Sequence, residues 1–402
     1  MKKILVLNSG SSTVKYQLFL ADGNSFSVLA KGVAERIGLS NSLISYSYDD
    51  SVKHTKSVDL PNHEVAIKEV LHILLSHSIK SLDEIAAVGH RMGHGGEYFD
   101  KSVIIDNDVM SKIYDTVDLL PLHGAAFVHG VEAITNLLPH IKQVATFDSA
   151  YHQSMPKEAF LYSLPIEQYE QHRIRKYGFH GTSHAYVAQQ AEKMLGFKGK
   201  LVSCHLGNGA SVTAIKDGKS IDTTMGFTPM VGMTMGTRCG DIDAYVPFHI
   251  MKTQNKTMDE VNNMLNKQSG LLGLCGYSDM RDIEVQYLAG NQKVITAGGV
   301  YVYQLIKHIG AFVAALGGID ALVFTAGVGE NSAFIRKLVC DRLAYLGLIL
   351  DDVMNKNNGS ERLISSSSSE VKVLVIPTNE ELMIAEDTYR LILDADILDT
   401  AA

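Results

Sequence analysis

The chain has 402 residues, 46% of them hydrophobic and 20% charged, with a net charge of −8. That length exceeds one compact core and predicts two domains. The acidic balance offers nothing to a nucleic acid or an anionic membrane surface, so an anionic ligand must be held by local Arg, Lys and backbone N–H groups.

In chain order, alternation and apolar runs predict strands at 3–8, 14–20 and 27–33, a helix at 64–77, and short buried strands at 85–89 and 143–147. The apolar run at the start, 4–7, is too short for a signal peptide and stops at Asn8. After Asp148 the pattern restarts with a helix at 183–195, a hairpin, and a strand near 220–224. Helices at 259–266 and 292–316, a strand at 321–325 and a helix at 331–346 follow. The run 355–369, rich in Asn, Ser and Gly, reads as a surface excursion. A strand at 371–376 and a closing helix at 380–393 end the chain. Strands followed by helices, twice over, predict an α/β fold of two related domains. The boundary is expected near Asp148: residues 1–148 form the first domain and 149–381 the second, with the last helix, 382–402, packing back on the first. The best candidate for a membrane span, 309–328, is broken by Gly317, Gly318 and Asp320. Cys204, Cys239, Cys275 and Cys340 form no C-x-x-C pair, which fits reduced thiols in a cytoplasmic protein.

The strongest local signal is a repeated glycine turn. KILVLNSGSSTVKYQLF near the start and KLVSCHLGNGASVTAI at 200–215 each run strand, small-residue turn, strand, and ALVFTAGVGENS at 321–332 adds a third cluster. Such turns aim several backbone N–H groups at one point and cradle phosphate, although Gly and Ser also build ordinary hairpins. Around them stand candidate chemical groups. Arg91 lies in GHRMGHGGE after a buried strand, where a planar guanidinium on rigid backbone suits bidentate capture of a carboxylate or phosphate. Asp148 ends another strand, a position that organises Mg²⁺ or a nucleophile and equally caps a helix. His180 sits in KYGFHGTSH just before a helix and could donate to a transferring phosphoryl group, although a lone His is more often structural. Arg238 is framed by Gly236 and Gly240, and two glycine-framed arginines fit a reaction that builds charge on oxygens. Glu380, in PTNEE, opens the last helix as a metal candidate or as an acid favoured by the helix dipole.

Together the strings NSGSSTVK, HRMGHGGE, KYGFHGTSH, HLGNGAS, MGFTP, GTRCGDID, FTAGVGENS and PTNEE resemble the acetate kinase family, which includes the propionate kinases and belongs to the actin-like ATPase superfamily. The resemblance runs from Val6 to about Glu386. It implies a two-domain actin-like ATPase (ribonuclease H-like) fold with ATP in the interdomain cleft, a homodimer, and a Mg²⁺-dependent reversible transfer of phosphoryl from ATP to a short-chain carboxylate, with Mn²⁺ able to replace Mg²⁺. It implies Arg91 as the ligand of the substrate carboxylate, with Gly93, Leu122, Phe179 and Pro229 around the acid. Asp148, His180, Arg238 and His123 match catalytic positions, and Asn8 and Glu380 match the metal-holding ones. Lys15 lies in the first phosphate loop, and His205, Leu206, Gly207, Asn208 and Gly209 form the second. Asp279, Met280 and Arg281 match an adenosine-contacting segment, and Gly327, Val328, Gly329, Glu330 and Asn331 the adenine and ribose loop. A carboxylate with a pKa of roughly 4 to 5 is already ionised at pH 7, so direct in-line transfer needs no strong general base.

Two positions depart from the family pattern. Gly93 replaces a usual valine of the acyl pocket, and Gly124-Ala125-Ala126 replaces Asn-Pro-Pro after His123. The lost side chain predicts tolerance of propionate or butyrate. A non-enzymatic actin-like nucleotide switch is the alternative of a different class, but it would need the phosphate loops without Arg91, His180 and Arg238.

Overall fold

The computed structural model describes residues 1–48, 52–117, 124–357 and 359–401. It divides into two compact units, Met1–Gln153 with Asn379–Ala402, and Ser154–Thr378.

The first unit is built on an eight-stranded mixed sheet. β1 (Lys2–Ser9), β2 (Thr13–Asp22), β3 (Ser25–Glu35), β4 (Leu43–Tyr48) and β5 (His54–Ser57) form an antiparallel meander. β6 (Ile85–Met92) and β8 (Lys142–Phe147) continue the sheet parallel to β1, and β7 (Val103–Ile104) pairs antiparallel with β8 at its edge. One face of β1 and β2 (Leu5, Leu7, Val14, Tyr16, Leu18) buries against the helix His63–His77 and Ile134 of the helix Gly124–Leu137. Their other face (Ile4, Val6, Phe19, Ala21), with Ala87 of β6, buries against Ile384, Ala385 and Ile392 of the closing helix Glu380–Ala401. Each such aliphatic residue, fully buried, contributes roughly 1.5–3 kcal/mol. The closing helix lies so close to β6 that a Cβ on Gly89 would stand 2.4 Å from Thr388 Oγ1, so only glycine fits there.

The second unit repeats this plan. β9 (Lys200–Leu206), β10 (Ala210–Lys216) and β11 (Lys219–Thr223) form an antiparallel meander, and β12 (Ala321–Thr325) and β14 (Lys372–Val375) continue parallel to β9. The order β11-β10-β9-β12-β14-β13, with β13 (Arg362–Leu363) at the edge, copies β3-β2-β1-β6-β8-β7 strand for strand. The helix Gln292–Leu316 is long and apolar enough to cross a bilayer by length and composition. Its stripe Val294, Ala297, Tyr301, Leu305, Ile309 and Phe312 is buried instead.

Several expected elements change. The third glycine cluster is no turn: Thr325 precedes a short helix, Ala326–Asn331, without a side-chain capping bond, and the helix is entered through Ala326 at φ 63°. The helix expected at 331–346 breaks at Ser332, whose hydroxyl accepts from Ile335 N–H and starts a new helix, Ala333–Arg342. The expected surface excursion at 355–369 contributes to the interior, because Asn355 and Ile364 are buried and β13 pairs with β14.

Deep in the first unit, His90 is fully buried on β6, and Nε2–H donates to Gln143 Oε1 at 2.8 Å. Burial pushes its pKa from 6.5 down to about 4, against the opposing effect of the Gln143 hydrogen bond. The unfolded chain therefore takes up a proton below pH 6.5 that the folded chain refuses until about pH 4. This contribution to stability is complete above pH 6.5 and is lost as pH falls toward 4. Urea unfolding between those limits should show wild type losing about 3 kcal/mol that His90→Gln does not lose.

Candidate active site

The parallel strands of the first unit end together. Asn8 is near the end of β1, Arg91 near the end of β6, and Asp148 directly follows β8. Arg91 spreads its fork across them. Nε and Nη2 donate to Asp148 Oδ1 and Oδ2 at 3.3 and 2.5 Å, and Nη1 donates to Asn8 Oδ1 at 3.2 Å. Glu380 Oε2, at the start of the closing helix, lies 3.5 Å from Arg91 Nε. Burial opposes the charge on Arg91, but Asp148 and Glu380 outweigh it and hold the guanidinium firmly protonated. The shift of Glu380 is also upward, but for a carboxyl that disfavours the charge. Burial lifts it above the usual carboxylate range and Glu381 adds to this, while Arg91 and Lys15 oppose it. The pair is unequal because Arg91 is already engaged by Asp148. Lys15 is exposed and sits opposite Asn8 in the β1–β2 register. Gly93 is buried just past β6. His123 and Leu122 lie outside the described residues.

In the second unit the loop Gly207, Asn208 and Gly209 joins β9 to β10, closed by Gly207 N–H donating to Gly209 O at 3.0 Å. Leu206 is buried at its root. His180 precedes the helix Gly181–Leu195 in a left-handed conformation, φ 57°, a strained state that persists where surroundings enforce it. Its ring stacks on that of His205 with centroids 4.1 Å apart. A Cβ on Gly209 would stand 3.2 Å from Arg238 Nη1 and 3.7 Å from His180 Nε2. The imidazole, the guanidinium and the glycine loop therefore converge. Arg238 Nη1 donates to Pro229 O at 3.1 Å, and among the described residues no carboxylate pairs with it. Burial lowers its pKa, the sign of a charge left without compensation. Phe179 is buried beside His180.

Next to the glycine loop lies a cavity of about 710 Å³, lined by Gly207, Asn208, Gly236, Asp279, Met280, Arg281, Gly327, Val328 and Asn331, among others. Asp279 caps the helix Met280–Leu288 through Arg281 N–H. Its carboxylate also accepts from the Arg281 side chain, and these bonds hold its pKa at about 2. Behind the cavity, Arg336 is fully buried and donates to Gly329 O and Glu330 O at 2.8 and 2.9 Å, and to Asn355 Oδ1 at 2.8 Å. Sequence reading passed over Arg336, which stands in an ordinary helical pattern. It also passed over Ser203 and Ser211, although polar residues at alternate positions of otherwise apolar strands were a visible signal.

A family model described as the acetokinase family matches residues 3–386. An acetate kinase of Caldanaerobacter subterraneus subsp. tengcongensis is 50% identical over 398 residues, 97% of this chain and 99% of that protein. One from Desulfitobacterium hafniense is 51% identical over 97% of this chain and 99% of its own length. Among solved structures, Porphyromonas gingivalis acetate kinase superposes with a TM-score of 0.92 at 42% identity, covering 98% of this chain and 100% of that one. A propionate kinase from Francisella tularensis subsp. tularensis SCHU S4 also gives 0.92 at 42% identity, over 97% and 100%. The fold is thus a mixed α/β fold of the two-domain actin-like ATPase type. Motifs, strand order and likeness over nearly the whole length agree, and the chain belongs to the acetokinase family.

Proposed function

We propose that this enzyme is an acetate kinase, transferring the γ-phosphoryl group of ATP to acetate in a reversible, direct in-line reaction that gives acetyl phosphate and ADP. The observation that carries the mechanism is Arg238, a half-buried cation with no carboxylate partner among the described residues, beside a glycine loop and the Nε2 edge of His180. A charge so placed is incomplete until an anion arrives. In this reading His180 and Arg238 neutralise charge developing on the transferring phosphoryl oxygens. The 207–209 loop holds the ATP phosphates through backbone N–H groups, and the adjoining cavity takes the nucleoside between 279–281 and 327–331. Arg91 binds the acetate carboxylate, which arrives already ionised and so needs no base. Asp148 then orients Arg91 and organises metal or water rather than moving a proton. His123 assists as an additional cation or donor, and Lys15 approaches the phosphates.

Among the described residues no cluster of three or more His, Cys, Asp or Glu forms a metal cage. That suits Mg²⁺, which takes one or two protein oxygens and completes its shell with phosphates and water. Asn8 and Glu380 supply hard oxygen donors, and a divalent cation would reverse the penalty that burial places on the Glu380 carboxylate. When bound, Mg²⁺ neutralises charge on the phosphate oxygens. Exposed apolar side chains on the second unit, among them Tyr245, Phe248, Leu288 and Tyr303, support a homodimer formed through that unit, and we assign the protein to the cytoplasm.

The test is direct. Protein, ATP, Mg²⁺ and hydroxylamine are combined with acetate, propionate or butyrate, and acyl hydroxamate is measured. Product with acetate is expected. No product with any acid, despite ATP binding, would overturn the reading in favour of a nucleotide switch. Gly93 gives the assay a second use. Propionate should react within about tenfold of acetate, and Gly93→Val should widen the gap in favour of acetate by roughly 10–100-fold. A steep preference for acetate in the wild type would refute the enlarged pocket.

A further inference from the structure

The two stacked imidazoles of the second unit are each backed by a buried hydroxyl. His180 Nδ1 meets Ser211 Oγ at 2.9 Å, and the same hydroxyl meets His184 Nε2 at 2.8 Å, with His184 Nδ1 and Ser203 Oγ 3.0 Å apart. His205 Nδ1 meets Ser183 Oγ at 2.8 Å, and Thr378 Oγ1 donates to Ser183 Oγ at 2.7 Å. Thr378 is itself anchored, because its N–H donates to Glu330 Oε1 at 3.2 Å. Ser183 and Ser211 are fully buried, and His205 is nearly so.

The second chain of bonds has one proton order. A serine hydroxyl carries one proton. Ser183 Oγ accepts from Thr378, and among the described residues its other hydrogen-bond neighbour is His205 Nδ1; a buried hydroxyl proton without an acceptor is costly, so Ser183 donates it there. That nitrogen must then be the unprotonated one, and the ring proton resides on Nε2. The geometry gives this a consequence: a Cβ on Gly207 would stand 3.7 Å from His205 Nε2, as one on Gly209 would from His180 Nε2. Both Nε2 atoms therefore border the glycine loop. Two imidazolium rings stacked this closely would repel each other, so a tautomer fixed without adding charge is the economical way to present two N–H donors.

We propose that Ser183 and Thr378 are positioning residues, which lock His205 in the neutral Nε2–H tautomer and make it a second N–H donor to the phosphate oxygens beside His180. The proton order stands on the hydrogen bonds alone, and only its kinetic consequence rests on the phosphoryl-transfer reading above. Thr378 thereby ties His205 to Glu330 of the nucleoside-side segment through its own backbone and side chain.

The experiment reads the tautomer and turnover separately. Full-length protein with ¹⁵N-labelled histidine rings is observed by long-range ¹H–¹⁵N correlation, with His205 assigned from the signal missing in His205→Gln. Wild type should show Nδ1 unprotonated and Nε2 protonated. Ser183→Ala removes the donor, and Thr378→Val frees Ser183 to turn its proton away. Both should convert His205 to a mixture of tautomers and lower kcat about tenfold, the scale of one hydrogen bond, with KM for the acid unchanged. Thr378→Ser keeps the hydroxyl and should restore both readouts. A protonated Nδ1 in wild type would overturn the proposal, as would a tautomer unmoved in both variants. Should Ser183→Ala not fold, the near-isosteric Thr378→Val and the wild-type spectrum still decide. Absence of turnover in wild type would count against the kinase reading, while the spectrum would judge the proton order by itself.

Discussion

Arg91→Ala is expected to lower kcat/KM for acetate by a factor on the order of 10³, with KM for acetate raised and KM for ATP little changed. The same substitution should destabilise the first unit by about 3 kcal/mol, because it takes a cation and two hydrogen bonds away from a buried carboxylate. Asp148 is 2% exposed and takes both donors of the Arg91 fork. Glu380 is half-buried within reach of the same guanidinium. Without Arg91, Asp148 loses two hydrogen bonds and Glu380 loses its larger opposing charge, while Lys15 still opposes the effect of burial and Glu381. Arg91→Lys should recover little, since a point charge cannot donate to Asp148 with two nitrogens and to Asn8 with a third. Hydroxamate kinetics and urea unfolding on the same preparations check both halves. An unchanged KM for acetate would remove Arg91 from the acid site.

Arg238→Ala is expected to behave differently. Turnover should fall by about 10²–10³, corresponding to roughly 2.7–4 kcal/mol of transition-state stabilisation. KM for acetate and for ATP should move little. Stability should hold or rise, because among the described residues Arg238 lacks a carboxylate partner and burial already disfavours its charge. The two arginines look alike in the sequence, each framed by glycines, and the structure separates them. One is held in an ion-pair network and one is left uncompensated. Unfolding curves for the two variants in parallel would test that distinction without any substrate, and a destabilised Arg238→Ala protein would contradict it.

Much of the candidate site was legible because its residues sit where strands end. Asn8, Arg91 and Asp148 each follow an apolar run, and a parallel sheet carries such positions to one edge. The glycine loop at 207–209 was legible for a related reason, since strand, small-residue turn and strand can hardly fold otherwise. The helix at 326–331 was misread as a turn because GVGE lacks helical periodicity. Its geometry is imposed by Ala326 in a left-handed conformation and by Arg336 gripping the carbonyls of Gly329 and Glu330. The excursion at 355–369 was misread because its composition is polar, although Asn355 is buried as a partner of Arg336.

By itself the sequence determined the repeated meander, the strand-end placement of the charged residues and the glycine turns, because these follow from hydrophobic period and turn chemistry within short windows. The tertiary structure decided which polar residues are paired. His90 with Gln143, Ser183 with His205 and Thr378, and Arg336 with Asn355 are contacts between residues 19 to 195 positions apart in the chain. No local pattern encodes such a pairing, because a buried hydroxyl or ring nitrogen acquires its proton, its tautomer and its pKa from whichever distant partner packing brings to it.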